Sequence, residues 1–258
     1  MPLNAPVTDW SAQRVWVVGA STGIGAAIAR ELLTRGARVA LSARSAERLE
    51  ALSALAPDRS LPVPLDVTDA RAVRAAHDTI VAAWGGVDVV LAVAGNYVPL
   101  RATEFSADAI GRLFDVNVQG VLNVLGPVLP AMIDRRAGHV AIVASVAGYR
   151  GLPKALGYGP TKAALINLAE VLYLDLAPMG VGVHIVNPGF VRTPLTDGND
   201  FKMPALIEPE EAARETLRGL ERGEFETHYP KRFTRWLKLL RVLPYRWYFP
   251  LVHRITGL

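Results

Sequence analysis

Val15-Trp-Val-Val-Gly-Ala-Ser-Thr-Gly-Ile-Gly25 is the stretch that decides the fold. A short apolar run ends directly in glycine, three residues separate Gly19 from Gly23, and a helical pattern runs from Ile24 to Leu33 until Gly36 stops it. An apolar strand that turns at once into a helix is the opening of a βα unit. Glycines at such a turn permit a tight bend. They also let backbone N–H groups approach a phosphate at the helix N-terminus, where the dipole favours an anion. Gly19, Ser21, Thr22, Gly23, Ile24 and Gly25 are thus candidate cofactor contacts, although a turn of this kind also joins strands to helices that bind nothing.

The alternation repeats along the chain. Strand-like runs occur at Arg38–Ser42, Leu61–Leu65, Val87–Val93, Val140–Ala144 and Val181–Val186, with helix-length segments between them. Continuous apolar strands separated by helices predict a parallel sheet covered on both faces, a three-layer, doubly wound α/β (Rossmann) architecture with ligands beyond the carboxyl ends of the strands. No internal repeat, low-complexity stretch or linker interrupts the pattern. The reading is one catalytic domain over residues 1–228, followed by a helical appendage over 229–258.

Composition supports a globular chain: 258 residues, 51% hydrophobic and 20% charged. There is no cysteine, which excludes disulfides, thiolate catalysis and cysteine metal sites. Met1 to Trp10 lacks a cationic region followed by an apolar core, and no uninterrupted apolar run reaches about 18 residues, so neither a signal peptide nor a spanning helix is expected. The expected location is the cytoplasm. Nothing in the chain points to nucleic acid as a partner.

The end of the second strand bears on cofactor choice. A carboxylate there would bond a ribose 2′-hydroxyl, but Leu41-Ser-Ala-Arg44 carries no acid. Arg44 offers a guanidinium suited to a 2′-phosphate, and Ser42 and Ser21 offer further donors. The alternative for Arg44 is a solvated surface side chain. NADP(H) is favoured over NAD(H).

Chemistry enters further along. Ser145 lies just past an apolar run, where a strand end would carry it to the active face. Tyr158 and Lys162 stand four apart at the start of the helical segment Thr161–Leu176, so both project from one helix face. A free tyrosine has a pKa of about 10, and a nearby ammonium lowers it toward the range useful for proton exchange. Taken singly, a Tyr-x-x-x-Lys pair reads as a surface contact and Ser145 as a capping residue.

In order, with the glycine turn upstream and Asn187-Pro-Gly-Phe-Val-Arg-Thr193 downstream, these residues resemble the short-chain dehydrogenase/reductase family from about Arg14 to Pro209. The turn matches that family's Gly-x-x-x-Gly-x-Gly pattern. The resemblance implies an NADP(H)-dependent oxidoreductase that interconverts a ketone or aldehyde with an alcohol, in which Tyr158 is general acid/base, Ser145 polarises the substrate oxygen and Lys162 also grips the nicotinamide ribose. Asn117, in Asp115-Val-Asn-Val-Gln-Gly120, resembles the fourth catalytic member, which holds a water in a proton relay. Asp66 and Val67 match the adenine-contacting position, although Asp66 reads equally well as a turn or helix-capping residue. Pro188, Gly189, Val191 and Thr193 match the segment that fixes the nicotinamide, and Ala94 and Gly95 the backbone alongside it. Two departures stand out: Ala92-Val-Ala-Gly95 replaces the usual Asn-Asn-Ala-Gly, and Pro160 lies between Tyr158 and Lys162, where only the first helical turn tolerates it. No metal is implied, and homo-oligomers are common among such proteins. A cofactor-binding sensor without turnover is the competing reading.

Two regions escape the resemblance. Pro194 to Pro209 falls in the variable substrate loop, and Phe190, Leu152, Tyr97, Leu195, Phe201 and Met203 are candidates either for an apolar pocket or for ordinary packing. The tail is the other. All 24 acids lie at or before Glu226, so residues 1–228 hold 21 Lys/Arg against 24 Asp/Glu, a net of −3, while Tyr229 to Leu258 holds seven cations and no acid. Phe233, Trp236, Leu237 and Leu240 share helical spacing among Arg232, Arg235, Lys238 and Arg241, and Pro244 ends the helix before Tyr245-Arg-Trp-Tyr-Phe249. A basic amphipathic helix followed by aromatics fits either peripheral contact with a membrane or packing on the body with the cations in water.

Overall fold

Alternate residues of a strand face opposite sides of a sheet, and here both sides are apolar, so helices must cover both. The structure is a computed structural model that describes residues 2–197 and 203–257. In chain order the elements are β1 (Arg14–Val18), α1 (Gly23–Thr34), β2 (Arg38–Ser42), α2 (Ala46–Ser53), β3 (Ser60–Pro62), α3 (Ala70–Trp84), β4 (Val89–Ala92), α4 (Ala107–Phe114), α5 (Gly120–Asp134), β5 (Gly138–Val143), α6 (Tyr158–Leu176), β6 (Val181–Pro188), α7 (Pro209–Glu221), β7 (Glu226–Tyr229), α8 (Lys231–Arg241) and α9 (Tyr245–Thr256). The strands form one seven-stranded sheet in the order β3-β2-β1-β4-β5-β6-β7, parallel throughout.

Trp16, Val18, Val90, Val140 and Ile142 face one side with α3, α5 and α6; Val15, Val17, Val39, Leu41 and Leu91 face the other with α1, α2 and α7. Three layers result, as the sequence predicts. Strand order reverses between β1 and β4, and the crevice at that switch point opens beyond the carboxyl ends of the strands.

Three features refine the sequence reading. The third strand spans Ser60–Pro62 rather than Leu61–Leu65, although Val63 N and Leu65 N still donate to Leu41 O at 2.8 Å and Ala43 O at 3.0 Å; Pro62 and Pro64 take the alternate positions of this edge strand, where no ladder donor is needed. The boundary at 228/229 falls inside β7, a strand that the sequence reading misses. β7 pairs with β6, and its alternate residues Thr227 and Tyr229 are buried, Thr227 so close to α7 that a Cβ on Gly219 would stand 1.7 Å from its Oγ1. Its sequence, Glu-Thr-His-Tyr, is too short and too polar to resemble a core strand. Finally, Ala107–Asp134 runs as 28 residues of helix, within which an 18-residue window reaches a mean hydropathy of 1.5, long and apolar enough by those measures to cross a membrane. Val121, Val124, Leu125, Val128 and Met132 nonetheless pack into the core beside the sheet.

A buried polar group anchors the sheet on its far side. β7 begins too late to pair with Val183, and Asn4 takes that place: its Nδ2 donates to Val183 O at 2.8 Å and its Oδ1 accepts from Val183 N at 3.0 Å. Next to it, His184 Nδ1 lies 2.7 Å from Glu224 O, which can only accept, so Nδ1 carries the proton and Nε2 accepts from His139 Nδ1 at 3.1 Å. Burial lowers the His184 pKa to about 3 and lowers that of His139 as well. A second proton on His184 would set N–H against N–H.

The sign follows from linkage: these histidines bind protons more readily unfolded, near pH 6.5, than folded. Their neutral form therefore supports the fold fully above that pH, and support is lost as pH falls. Urea unfolding should show a loss of about 2 kcal/mol for His184 between pH 7.5 and pH 5, a range in which carboxylates contribute little. Equal stability at the two pH values would contradict this assignment.

Candidate active site

One cleft of about 530 Å³ lies beyond the strand ends, and the glycine turn forms one wall of it. Gly19 has φ +102°, and a Cβ there would stand 2.5 Å from Ala94 N; a Cβ on Gly25 would stand 2.1 Å from Gly19 O. Both positions require glycine for close backbone packing. At the N-terminus of α1, Thr22 supplies no side-chain cap and the first turn holds no acid. Unsatisfied N–H groups and the positive dipole end therefore face the cleft, a donor set suited to a pyrophosphate.

Arg44 and Arg48 stand exposed at the mouth with Ser45 and Ser21, and with Lys162 they place three cations in the cleft lining against one acid, Asp66, among the described residues. Arg48 and Ser45 were not anticipated; an Arg four residues beyond Arg44, on the first turns of α2, was the available signal. Ser42 does not belong here. It is fully buried, with its hydroxyl accepting from Trp16 Nε1 at 2.9 Å and donating to Val63 O at 2.8 Å. Asp66 lines the cleft and accepts from Thr68 N and Oγ1, which hold its carboxyl below the usual range, while Asp69 caps α3.

The other end of the cleft gathers the chemistry. Ser145 follows β5, its Oγ accepting from Ala147 N at 3.1 Å. Tyr158 is the first residue of α6 and Pro160 the third, inside the tolerant first turn. The Tyr158 and Ser145 hydroxyls are hydrogen-bonded to each other, and Tyr97 meets the Tyr158 ring edge-on with centroids 5.0 Å apart. Burial pushes the Tyr158 phenol up to about 12, an effect the Ser145 hydrogen bond opposes.

Here the structure departs from the expected phenol–ammonium contact. Lys162 is 3% exposed, and its Nζ donates to Val143 O at 3.0 Å, 5.6 Å from the Tyr158 ring centre. The ammonium is thus held by the end of β5, and burial lowers its pKa to about 8. The Tyr158 phenol is set instead by burial, the Ser145 hydrogen bond and Tyr97.

Asn117 does not line the cleft. It lies in a π-helical turn, Asp115–Gln119, between α4 and α5, fully buried, a type of irregularity frequent at functional sites. Its Oδ1 accepts from Asn96 N at 2.7 Å, and its Nδ2 donates to Asn96 O at 2.9 Å and Thr161 Oγ1 at 3.0 Å. Asn117 ties the loop after β4 to α6. A Cβ on Gly95 would meet both Asn117 Oδ1 and Lys162 Nζ at 3.3 Å, so these two side chains converge behind Gly95. This tie closes the loop although the family's asparagine before Ala94 is missing.

Val67, Ala94, Gly95, Pro188, Gly189, Val191 and Thr193 all line the cleft, with the Thr193 methyl against Gly23. Of the apolar pocket candidates, Leu195 lines this cleft and Tyr97 packs on Tyr158, whereas Leu152 faces a separate groove of about 300 Å³ beside Val252. Phe201 lies outside the described residues.

Sequence reasoning missed the support beneath the site, which comes from the tail. Phe233 of α8 packs against Phe190, the rings tilted with centroids 5.7 Å apart, and presses on Gly189. Glu226 accepts from Asn187 Nδ2 at 2.9 Å and from Tyr149 Oη and pairs with Lys238; against its own burial, these contacts keep its carboxyl low. Arg150, in the loop before α6, donates to Leu240 O at 2.8 Å and to Leu243 O, and its guanidinium stands 4.0 Å from the Tyr248 ring centre and 4.6 Å from that of Tyr245. A cation thus caps the C-terminus of α8 and joins α9 to the active-site loop.

The short chain dehydrogenase family profile matches residues 13–202. An uncharacterized oxidoreductase of Myxococcus xanthus is 36% identical over 241 residues, covering 92% of this chain and 95% of its own. One from Staphylococcus epidermidis is 33% identical, covering 76% of this chain and 86% of its own. Among solved structures, a short-chain dehydrogenase from Streptomyces avermitilis superposes with a TM-score of 0.81 at 27% identity, covering 95% of this chain and 98% of that one. A short-chain type dehydrogenase/reductase from Mycobacterium marinum gives 0.77 at 27% identity, covering 85% and 94%.

Arg150→Ala should loosen the tail without unfolding the sheet. Hydrogen exchange across Lys231–Thr256 should then quicken at least tenfold, in keeping with about 1.5–3 kcal/mol for charged hydrogen bonds, while β1, β4 and β5 stay protected. Unchanged exchange in α8 and α9 would remove Arg150 from this role.

Proposed function

The chain belongs to the short-chain dehydrogenase family, an oxidoreductase family with a nicotinamide cofactor, and on that premise we propose that it is an NADP(H)-dependent enzyme interconverting a largely apolar ketone or aldehyde with its alcohol. One observation carries this reading: Ser145, Tyr158 and Lys162 meet at one end of a cleft whose other end offers helix N–H groups, Arg44 and Arg48, and no acid at the end of β2. Arg44 and Arg48 would grip a 2′-phosphate, the N-terminus of α1 the pyrophosphate, and Pro188, Gly189, Val191 and Thr193 the nicotinamide end. When bound, the cofactor supplies or accepts the hydride.

The chain itself handles the proton. In reduction the Tyr158 hydroxyl donates to the substrate oxygen as charge develops there, and Ser145 donates a second hydrogen bond to the same oxygen. Below about pH 8 the phenol is protonated and Lys162 is charged, which is the form that donates a proton. Asn117 positions rather than reacts, because its amide holds Asn96 and Thr161. Tyr97 and Leu195 make the substrate end apolar. Exposed Leu122 on α5 and Val171 and Leu174 on α6 support a homo-oligomer formed through these helices. A sensor without turnover would not need the three catalytic side chains to converge.

With NADPH and a panel of apolar carbonyls, Tyr158→Phe should lower kcat by about 10²–10⁴-fold, the usual contribution of a positioned general acid. A variant as fast as the parent on a good substrate would rule this mechanism out. For reduction, kcat/KM should hold steady at lower pH and fall above about pH 8 as Lys162, whose charge would hold the nicotinamide ribose, loses its proton. Arg44→Ala should weaken NADPH binding about 10–100-fold and leave NADH almost unchanged, as loss of a charge-assisted contact requires. An equal effect on the two cofactors would argue against a 2′-phosphate site.

A further inference from the structure

The tail turns two different faces in two directions. Phe233 and Leu237 of α8 pack on the body, yet Trp236, Leu239 and Val242, with 67%, 58% and 76% of their surface exposed, lie along the opposite face with exposed Arg232 and Arg235. The alternatives open in the sequence, apolar side inward or apolar side to a membrane, are therefore not exclusive. α9 extends the outer face: Tyr245, Trp247 and Phe249 are more than half exposed, and Arg246 lies over the Trp247 ring at 4.8 Å. Inward contacts are already satisfied, because Tyr248 donates to Gly151 O and Lys238 pairs with Glu226. Among the described residues, Arg232, Arg235 and Arg246 make no ion pair.

We propose that the outer face of α8 and α9 docks on an anionic lipid surface, with aromatics at headgroup depth and arginines among the phosphates. Two observations select this occupant. Aromatic and aliphatic side chains mixed with unpaired arginines suit a layer that is apolar on one side and anionic on the other. A second copy is disfavoured by charge: a two-fold contact lays a patch on itself, and this tail carries seven cations and no acid. The surface role holds whatever the substrate is, and it leaves the cleft lining free.

The test is co-sedimentation of the full chain with vesicles of phosphatidylcholine alone and of equal parts phosphatidylcholine and phosphatidylglycerol, at low and high salt, with sedimentation velocity in vesicle-free buffer. The parent should partition at least tenfold more strongly to the anionic vesicles and lose that gain at high salt. Arg232→Gln/Arg235→Gln should weaken binding about 30-fold, from roughly 1 kcal/mol per cation near the surface. Trp236→Ser/Val242→Ser should weaken it on the same vesicles, and NADPH binding should persist in both variants. Equal partitioning of the parent to both vesicle types overturns the proposal without recourse to any variant. So does a parent that stays in solution. Variants that bind vesicles like the parent but change its association state would make the face an interface between copies.

Discussion

At Gly19 the chain passes so near the end of β4 that any side chain would collide with the Ala94 backbone. This abutment fixes the first βα turn across the point where strand order reverses, and the rest of the site is built outward from it. It aims the N-terminus of α1 into the crevice and sets Gly95 where Lys162 and Asn117 converge. The glycine-turn end and the Tyr158 end of the cleft are thus joined by backbone packing rather than by any long side chain. Glycine is needed at Gly19 and Gly25 for steric reasons, and the opening for an anion is a consequence.

Burial governs the chemistry at the far end. Taking Lys162 out of water lowers its pKa while taking Tyr158 out of water raises that of the phenol, so both shifts favour neutral forms. The carbonyl of Val143 compensates the lysine through one hydrogen bond, and Ser145 partly offsets the penalty on the tyrosine. Two neighbours on one helix face therefore do not form the ion pair that their spacing suggests. What they share is a floor, the end of β5, which positions both from below.

The tail completes this arrangement from the outside. Phe233 braces Gly189, Glu226 gathers Asn187, Tyr149 and Lys238, and Arg150 ties the loop before α6 to both terminal helices. These contacts make α8 and α9 part of the support of the site. Their opposite faces remain apolar and cationic toward solvent, so one pair of helices holds the active-site loop on one side and presents a surface on the other.

The sequence alone determined the layered parallel fold, the glycine turn and the order of Ser145, Tyr158 and Lys162, because strand runs, turn glycines and helical spacing are local signals. Arg44 was legible for the same reason, at the end of an apolar run, whereas Asp66, Val67, Ala94, Gly95, Pro188, Gly189, Val191 and Thr193 were named by the resemblance to the family. Tertiary structure alone decided where polar side chains direct their hydrogen bonds. Ser42 reads as a cofactor donor until Trp16 and Val63 claim its hydroxyl, and only the fold shows the Asn117 amide holding Asn96 and Thr161. β7 was hidden because its pairing with β6 and its fit against Gly219 come from distant segments. Residue type and spacing reveal which groups a site contains, but which partner satisfies each buried donor depends on segments brought together only by the fold.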